Sequence, residues 1–162
     1  MPRINTQNFE LTDRGQAVRE LNALRRAELS AAEAYRRAVA AAPADDPLKA
    51  RAVDVLREAG RHHQASAEIL GDRVRSLGGH PADPAEPRGP WAEAARAAAD
   101  NPLAAHALRT LKAAEEQALH QDQQALDEVD EGSRGVVLQQ LIPAQQQHLA
   151  ALDRLILSAT GA

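Results

Sequence analysis

The sequence predicts an all-α protein, and three observations support that prediction. Hydrophobic residues make up 44% of the 162 residues but aromatic residues only 2%, so alanine supplies much of the apolar content. Alanine and leucine mixed with Glu, Gln and Arg form the strongest helix-promoting composition. β-Branched residues are sparse and never alternate with polar residues over a useful length, as they would in a half-buried strand.

Charge and composition argue against several classes of protein. The formal net charge is −4 with acidic and basic residues interspersed, which is typical of a solvated helical surface and not of a nucleic-acid interface. Cysteine is absent, which excludes disulfides, thiolate metal sites and cysteine nucleophiles. No stretch approaches the roughly 20 apolar residues of a membrane span, and no secretion signal begins the chain. We therefore expect one cytoplasmic domain over residues 1–162, with neither a nucleic-acid nor a membrane partner.

The first two long helices should form an antiparallel hairpin. The first is expected to begin near Thr12 or Asp13, either a suitable N-cap, after an extended segment 1–11, and to run to about Ala42. The stretch "PADDP" then ends it.

The second helix has clear signals at both ends. Asp46 followed by Pro47 is typical of an N-cap with proline at the first helical position. At the other end, Gly78 or Gly79 in "LGG" can adopt the left-handed conformation that ends a helix. A crossover over residues 79–101 follows, too rich in proline at first for a helix, with "WAEAARAAA" as a short helix within it.

The second hairpin should begin at Pro102. Its first helix is expected to continue to about Val129, "DEGSRG" to form a tight turn, and the last helix to run to about Ser158. Pro143 should kink that helix, because the residues before it keep helical spacing; a 3₁₀ turn before a shorter helix is the alternative. Two hairpins joined by one long crossover form the ferritin-like four-helix arrangement.

Each long helix has an apolar stripe at spacings of three and four, and a polar residue interrupts each stripe near its middle. The interruptions are Glu28, His63, Glu115 and His148 in the four helices in turn. Each Glu and His of one hairpin are equidistant from its turn, so antiparallel packing should place each pair level. The pattern therefore predicts that the four side chains converge in mid-bundle.

Buried carboxylates persist when they are paired, protonated or bound to metal, because an isolated one costs several kcal/mol. Two carboxylates and two imidazoles suit one divalent ion of iron, manganese or zinc. The same residues could instead form two buried ion pairs in a metal-free interaction or scaffold protein that uses its surface as a dimer. A mononuclear-metal oxidase or peroxidase is a further alternative.

The neighbouring polar residues lead to weaker predictions. His62 could replace His63 if the second helix is rotated, although the stripe through His63 is cleaner. Asp122, two turns from Glu115, is expected near the solvated end, with a supporting acceptor beside the site as the alternative. Tyr35 should lie in the core with its hydroxyl on one of these polar groups. Residues expected at the surface are His80, His106, His120, Glu33, Glu58, Glu68 and Glu116.

Five stretches point to one family: "ELNALRRAELSAAEAYRRA", "LGGHP", "GPWAEAARAAADN", "LKAAEEQAL" and "QQQHLAALDRL". The "LGG-x-P" after the second helix and the Gly/Pro–Trp segment are fairly specific together. Through these stretches, residues 18–157 resemble a bacterial ferritin-like family catalogued as domain of unknown function 2383. The resemblance implies the ferritin-like fold and a metal- or stress-related role, without an established activity.

The wider superfamily holds two irons with one Glu on each of two helices and Glu-x-x-His on each of the other two. The four predicted ligands match the lone glutamates and the histidines of that pattern. Gln145 and Gly60 stand where the other two glutamates would be. Two Fe(II) ions beside only two carboxylates would leave a net charge of about +2 in the core. The resemblance therefore implies one divalent ion or none, and poor ferroxidase activity.

Overall fold

The structure, a computed structural model, describes residues 6–161 and their side chains from residue 13 onward. Over that range the chain is all-α, with no strand. The helices are α1 (Thr6–Ala41), α2 (Ala50–Ser76), α3 (Pro90–Ala98), α4 (Ala105–Ala125), α5 (Glu131–Val136) and α6 (Ile142–Thr160), and a π-helical segment, Val137–Leu141, joins α5 to α6. None of these helices is long and apolar enough to cross a membrane.

The long helices pack as two pairs, α1 with α2 and α4 with α6. The first pair is antiparallel: Tyr35, late in α1, lies against Gly60, whereas the earlier Arg25 donates to the carbonyl of Ala67. Further contacts join α1 to α4 and α2 to α6, and α3, the predicted short helix of the crossover, packs on α1 and α4. The four long helices therefore surround a common interior.

The interior contains two hydrophobic clusters. The first is centred on Tyr35 and Trp91, and the second on Leu21, Leu70 and Leu141. Each fully buried leucine contributes roughly 1.5–3 kcal/mol of hydrophobic stabilisation. The polar residues predicted on the stripes are members of neither cluster, although they are buried.

α1 begins earlier than expected, at Thr6 and not near Thr12 or Asp13. The extended segment predicted for residues 1–11 is therefore wrong for 6–11, and residues 1–5 lie outside the described part of the chain. Neither proline nor glycine occurs between Thr6 and Asp13. Once a helix has formed, adding residues is easier than starting it, so α1 extends past its expected caps.

α2 begins later than predicted, at Ala50, because Asp46 closes a turn and does not cap the helix. Asp46 Oδ1 accepts a hydrogen bond from the backbone N–H of Leu48 at 3.0 Å, and the Asp46 carbonyl accepts one from Lys49 at 3.1 Å. An Asx side chain bound to the amide two residues on is a common turn motif. The expected cap signal thus encodes a turn around Pro47.

α4 follows the same pattern, beginning at Ala105 and not at Pro102, and ending at Ala125 and not near Val129. Asn101 Oδ1 accepts a hydrogen bond from the backbone N–H of Leu103 at 3.2 Å. Asn and Asp compete with the helix by bonding nearby amides. The turn through the proline therefore precedes the helix.

The end of α2 is as predicted, and Gly78 is the residue that provides it. Gly78 has a φ of +82°, which a glycine adopts without steric cost. Its N–H bonds the carbonyl of Arg75, and the N–H of Gly79 bonds the carbonyl of Val74, both at 2.9 Å. These two bonds form a Schellman motif, which satisfies the last carbonyls of the helix.

The predicted turn "DEGSRG" is wrong, because these residues begin the last helix. Asp130 is the N-cap of α5, and its side chain accepts a hydrogen bond from the backbone N–H of Ser133 at 3.3 Å. The side chain of Asp130 also binds Arg73 Nη2 at 2.8 Å, which ties this cap to α2. The helical course then continues to Thr160.

The residues before Pro143 stay helical, as expected, but they form a π-helix and not a 3₁₀ turn. The N–H of Ile142 bonds the carbonyl of Val137, five residues back. Buried positions here recur every four residues, at Ser133, Val137, Leu141 and Gln145. Four residues overshoot one α-helical turn by about 40°, so the wider π turn keeps these side chains on one face. A wider turn also relieves the clash between a proline ring and the carbonyl four residues earlier.

Candidate metal centre

The structure brings together the four polar residues that interrupt the stripes. Glu28, His63, Glu115 and His148 are each at most 6% exposed. His63 touches both glutamates, and the centroids of the His63 and His148 rings are 4.8 Å apart. The antiparallel levels predicted from the sequence therefore correspond to real proximity.

His63 lies between the two carboxylates. Its Nδ1 donates to Glu28 Oε2 at 2.6 Å, and its Nε2 is 2.9 Å from Glu115 Oε1. With both ring nitrogens protonated, His63 is an imidazolium that pairs with a carboxylate on either side. One helix, α2, thus links α1 to α4 through a single side chain.

The charges in this arrangement shift the pKa of each partner. Burial alone would lower the pKa of His63, but the carboxylates of Glu115 and Glu28 raise it to about 10. Burial alone would raise the pKa of Glu115, but the charge of His63 and the contacts with His148 and His63 lower it to about 2. The metal-free site therefore holds a carboxylate and an imidazolium at neutral pH.

Glu115 is the residue on which most contacts converge. Its Oε1 accepts a hydrogen bond from the Tyr35 hydroxyl at 2.6 Å, as expected for Tyr35. His148 Nδ1 lies 3.4 Å from the same oxygen without forming a hydrogen bond. One potential ligand atom from each of His63, Glu115 and His148 lies within 4.8 Å of the others, which is the spacing of a possible metal site.

Several buried polar atoms around this centre have no hydrogen-bond partner among residues 6–161. They are Glu115 Oε2, His148 Nδ1, Gln145 Oε1 and Asp122 Oδ2. A buried unpaired donor or acceptor costs about 1–3 kcal/mol. Glu115 Oε2 and Gln145 Oε1 can only accept, and a neutral imidazole nitrogen can accept as well. The centre is therefore rich in lone pairs, which is the property a bound cation requires.

Aromatic rings pack around His63. Tyr35 stacks on the His63 ring with 5.5 Å between centroids, and Trp91 of α3 meets it edge-on at 5.4 Å. The sequence does not predict the packing of Trp91 against His63, because it locates the short crossover helix but not the residues that this helix contacts. The crossover helix thus shields one side of the site.

The packing of α1 against α2 explains why residue 60 is a glycine. A Cβ atom at residue 60 would lie 3.1 Å from the Cβ of Tyr35, which is too close without a shift. The glycine therefore allows α1 and α2 to approach where Tyr35 turns toward Glu115. The space that a side chain at residue 60 would need is taken by Tyr35.

One prediction about a neighbouring residue needs correction, and one alternative is resolved. Asp122 is 3% exposed and does not lie at a solvated end, because the second hydrophobic cluster continues past it to Ala125 and Leu141. Burial, with the charge of Glu28 next, raises the pKa of Asp122 to about 8. His62 does not replace His63: its Nδ1 lies 3.1 Å from His148 Nε2.

The other polar residues are not members of the buried cluster. Glu33 is partly buried and binds Arg36 and Arg37 on its own helix. The remaining ones predicted at the surface are exposed, namely His80, His106, His120, Glu58, Glu68 and Glu116.

The donor set fits one transition-metal ion. Two imidazoles and a carboxylate bind Zn, Fe or Mn, whereas Mg and Ca prefer oxygen ligands alone. Metal-binding histidines commonly donate their other nitrogen to a carboxylate, as His63 does to Glu28. No protein-family model, curated protein or solved structure matches the chain, so its function is inferred from the site itself.

Proposed function

We propose that this protein binds one divalent transition-metal ion in mid-bundle, with His63, Glu115 and His148 as its ligands. The observation that supports the proposal best is the buried cluster of these three side chains, whose possible ligand atoms lie within 4.8 Å of one another. Two of its atoms, Glu115 Oε2 and His148 Nδ1, have no partner in the described part of the chain. An ion would satisfy groups that otherwise destabilise the fold.

Glu28 has a different part in this proposal from the ligand role predicted for it. Its carboxylate binds His63 Nδ1 at 2.6 Å, so it orients the ring and leaves Nε2 for the ion. Such a carboxylate fixes the tautomer and strengthens the histidine as a ligand. Because Nε2 must lose its proton before it can bind a metal, uptake of the ion should release protons.

The balance of charge favours a single ion. The carboxylates of Glu28 and Glu115 offset the two positive charges of one divalent ion, with His63 then neutral. A second ion would have no further anionic group except Asp122, whose pKa is raised to about 8. Uncompensated charge in a core costs several kcal/mol, so two ions are disfavoured.

We further propose that the chain is a ferritin-like protein of the family it resembles. The pairing of α1 with α2 and of α4 with α6, across a link that contains α3, supports this assignment. A metal-related or stress-related role follows from that resemblance. The oxidase or peroxidase alternative would use the same three ligands.

Metal binding by protein made without a histidine tag tests the proposal. The chelated and re-purified chain is titrated with Zn(II), Fe(II) and Mn(II), and bound metal is measured by elemental analysis. We expect one ion per chain, loss of binding in His148→Ala and normal binding in His120→Ala, which removes an exposed histidine of α4. Absence of stoichiometric binding, or equal binding by both variants, would contradict the proposal and favour a metal-free layer of ion pairs.

A further inference from the structure

A pocket of about 290 Å³ opens between α2 and α6 and ends at His148. Its lining is mixed: Leu56, Ala59 and Leu152 are among its apolar residues, and its polar or charged residues include Glu58, His62, Gln147, His148 and Arg154. Toward the ends of the bundle, the described interior holds the two hydrophobic clusters. The pocket is therefore a polar approach to the metal centre from the side.

Metal-ligating side chains line this approach in order of decreasing exposure. The exposed fractions of the side chains are 70% for Glu58, 42% for His62, 6% for His148 and 0% for Glu115. Glu58 Oε1 is 3.7 Å from His62 Nε2, His62 Nδ1 is 3.1 Å from His148 Nε2, and His148 Nδ1 is 3.4 Å from Glu115 Oε1. An unbroken series of donor atoms thus runs from solvent to the core.

At the mouth, a carboxylate and an imidazole again lie side by side, but less tightly than at the centre. Glu58 Oε1 is 3.7 Å from His62 Nε2, whereas Glu28 Oε2 is 2.6 Å from His63 Nδ1. The 3.1 Å between His62 Nδ1 and His148 Nε2 is close to the roughly 3.3 Å between two imidazole nitrogens on one tetrahedral ion. The two nitrogens share one hydrogen bond here, which a bound ion would replace.

We infer that His62 and His148 form an outer cation site, and that a divalent transition-metal ion enters the bundle through it. His148 belongs to both sites, since its Nε2 faces His62 and its Nδ1 faces Glu115. The lining carries one carboxylate, Glu58, and one guanidinium, Arg154, so its attraction for a transition-metal ion comes from the imidazole lone pairs. This inference rests on the proposed function, because it concerns how the inner site is filled.

Loading kinetics with Co(II) alone test the inference. Co(II) absorbs visible light when nitrogen and oxygen ligands replace its water, so stopped-flow absorbance follows uptake, and chelator competition follows release. The proteins compared are wild type, His62→Gln and the matched control His120→Gln. His62→Gln should bind one ion but take it up and release it at least about tenfold more slowly, because a lined cleft accelerates entry and exit alike. The control should match wild type.

A second variant tests the pocket by changing its width and not its polar residues. Ala151 lines the pocket, and Ala151→Leu should narrow it and slow both uptake and release while His62 remains. Normal rates in both variants would overturn the inference and leave the proposed function intact. Faster release with normal uptake in His62→Gln would make His62 a ligand of the inner ion and would also overturn it. No Co(II) binding by wild type would overturn the proposed function itself.

Discussion

The two helical hairpins carry the same Glu–His pair at the same level and use it differently. In the pair from α1 and α2, which we call the closed pair, Glu28 and His63 are 2.6 Å apart and both nitrogens of His63 have partners. In the pair from α4 and α6, the open pair, His148 Nδ1 is 3.4 Å from Glu115 and makes no hydrogen bond there.

The two pairs differ because further residues contact Glu115 and His148. His63 reaches across the bundle to Glu115, and Tyr35 binds the same carboxylate oxygen at 2.6 Å. His148 is left beside an oxygen that already accepts two hydrogen bonds, and its other nitrogen turns to His62. Equal residues at equal levels therefore divide into one pair suited to holding the helices together and one suited to binding a ligand.

The largest effect is expected from removing the centre of the closed pair. His63→Ala would leave the carboxylates of Glu28 and Glu115 buried without their cation, and should lower the free energy of unfolding by about 3–5 kcal/mol in metal-free protein. Urea denaturation in the presence of a chelator measures it. His148→Ala, which removes the histidine of the open pair, should cost about 1–2 kcal/mol.

Equal losses in the two variants would mean that the hairpins do not differ in this way.

The loss of stability in His63→Ala also depends on pH. Because folding raises the pKa of His63, this residue contributes its full stabilisation below pH 6.5, the usual pKa of histidine. That contribution declines as pH rises toward about 10. The lowered pKa of Glu115 stabilises the fold fully above its usual 4.5, and this is lost toward about pH 2. The cost of the variant should therefore be greatest between these two usual values.

Added metal should increase the stability that His148→Ala, the variant of the open pair, loses relative to wild type. At a free concentration one hundred times its dissociation constant, an ion that binds only the native state adds about 2.7 kcal/mol of stability. Thermal melting with Zn(II) or Mn(II) should show this increase in wild type and not in His148→Ala. An equal increase in both proteins would indicate binding at the surface.

A smaller effect is expected from the buried acid beside the closed pair. The pKa of Asp122 is raised to about 8, chiefly by burial, so the folded protein keeps a proton there that the unfolded chain releases above about pH 4. Stability should therefore fall as pH rises from about 4 to 8. Asp122→Asn should remove that decline and exceed wild type by about 1–3 kcal/mol at pH 8. Parallel stability profiles for the two proteins, measured by urea denaturation, would contradict the assignment.

The smallest expected effect is on the oxidation of iron. Glu28 and Glu115 are the two carboxylates in contact with His63, which is fewer than a bridged pair of irons requires. Stopped-flow oxidation of Fe(II) in air should be slow and close to that of His148→Ala. Rapid oxidation with two irons per chain would mean that Asp122 or Glu116 supplies the missing charge.

The sequence predicts the members of the site well because helical periodicity is a property of each helix alone. The interruption of each stripe located His63 and His148 without knowledge of their partners. The stacking of His62 on His148, at 5.3 Å between ring centroids, depends on how α2 is rotated against α6. That rotation is set by packing between distant segments, which no local pattern contains.

The errors in helix ends have a similar cause. Asp46 and Asn101 each precede a proline, which is equally compatible with a cap and with a turn. The sequence predicts Asp130 in a turn, whereas in the structure it caps α5 and binds Arg73 of α2. Local chemistry identifies the residues that end or begin helices, and tertiary contacts select among their possible roles.

The π segment Val137–Leu141 has a consequence for changes in chain length. A π turn holds about one residue more than an α turn. One residue can therefore be inserted or deleted in this segment while the chain remains helical. Deleting one residue there would allow regular α-helix but rotate Ser133 by about 100° relative to His148. The cap of α5 and the open pair would then no longer face the same interior. A relative shortened by one residue in this segment should therefore have lost either the metal ligands or the contact of that cap with Arg73.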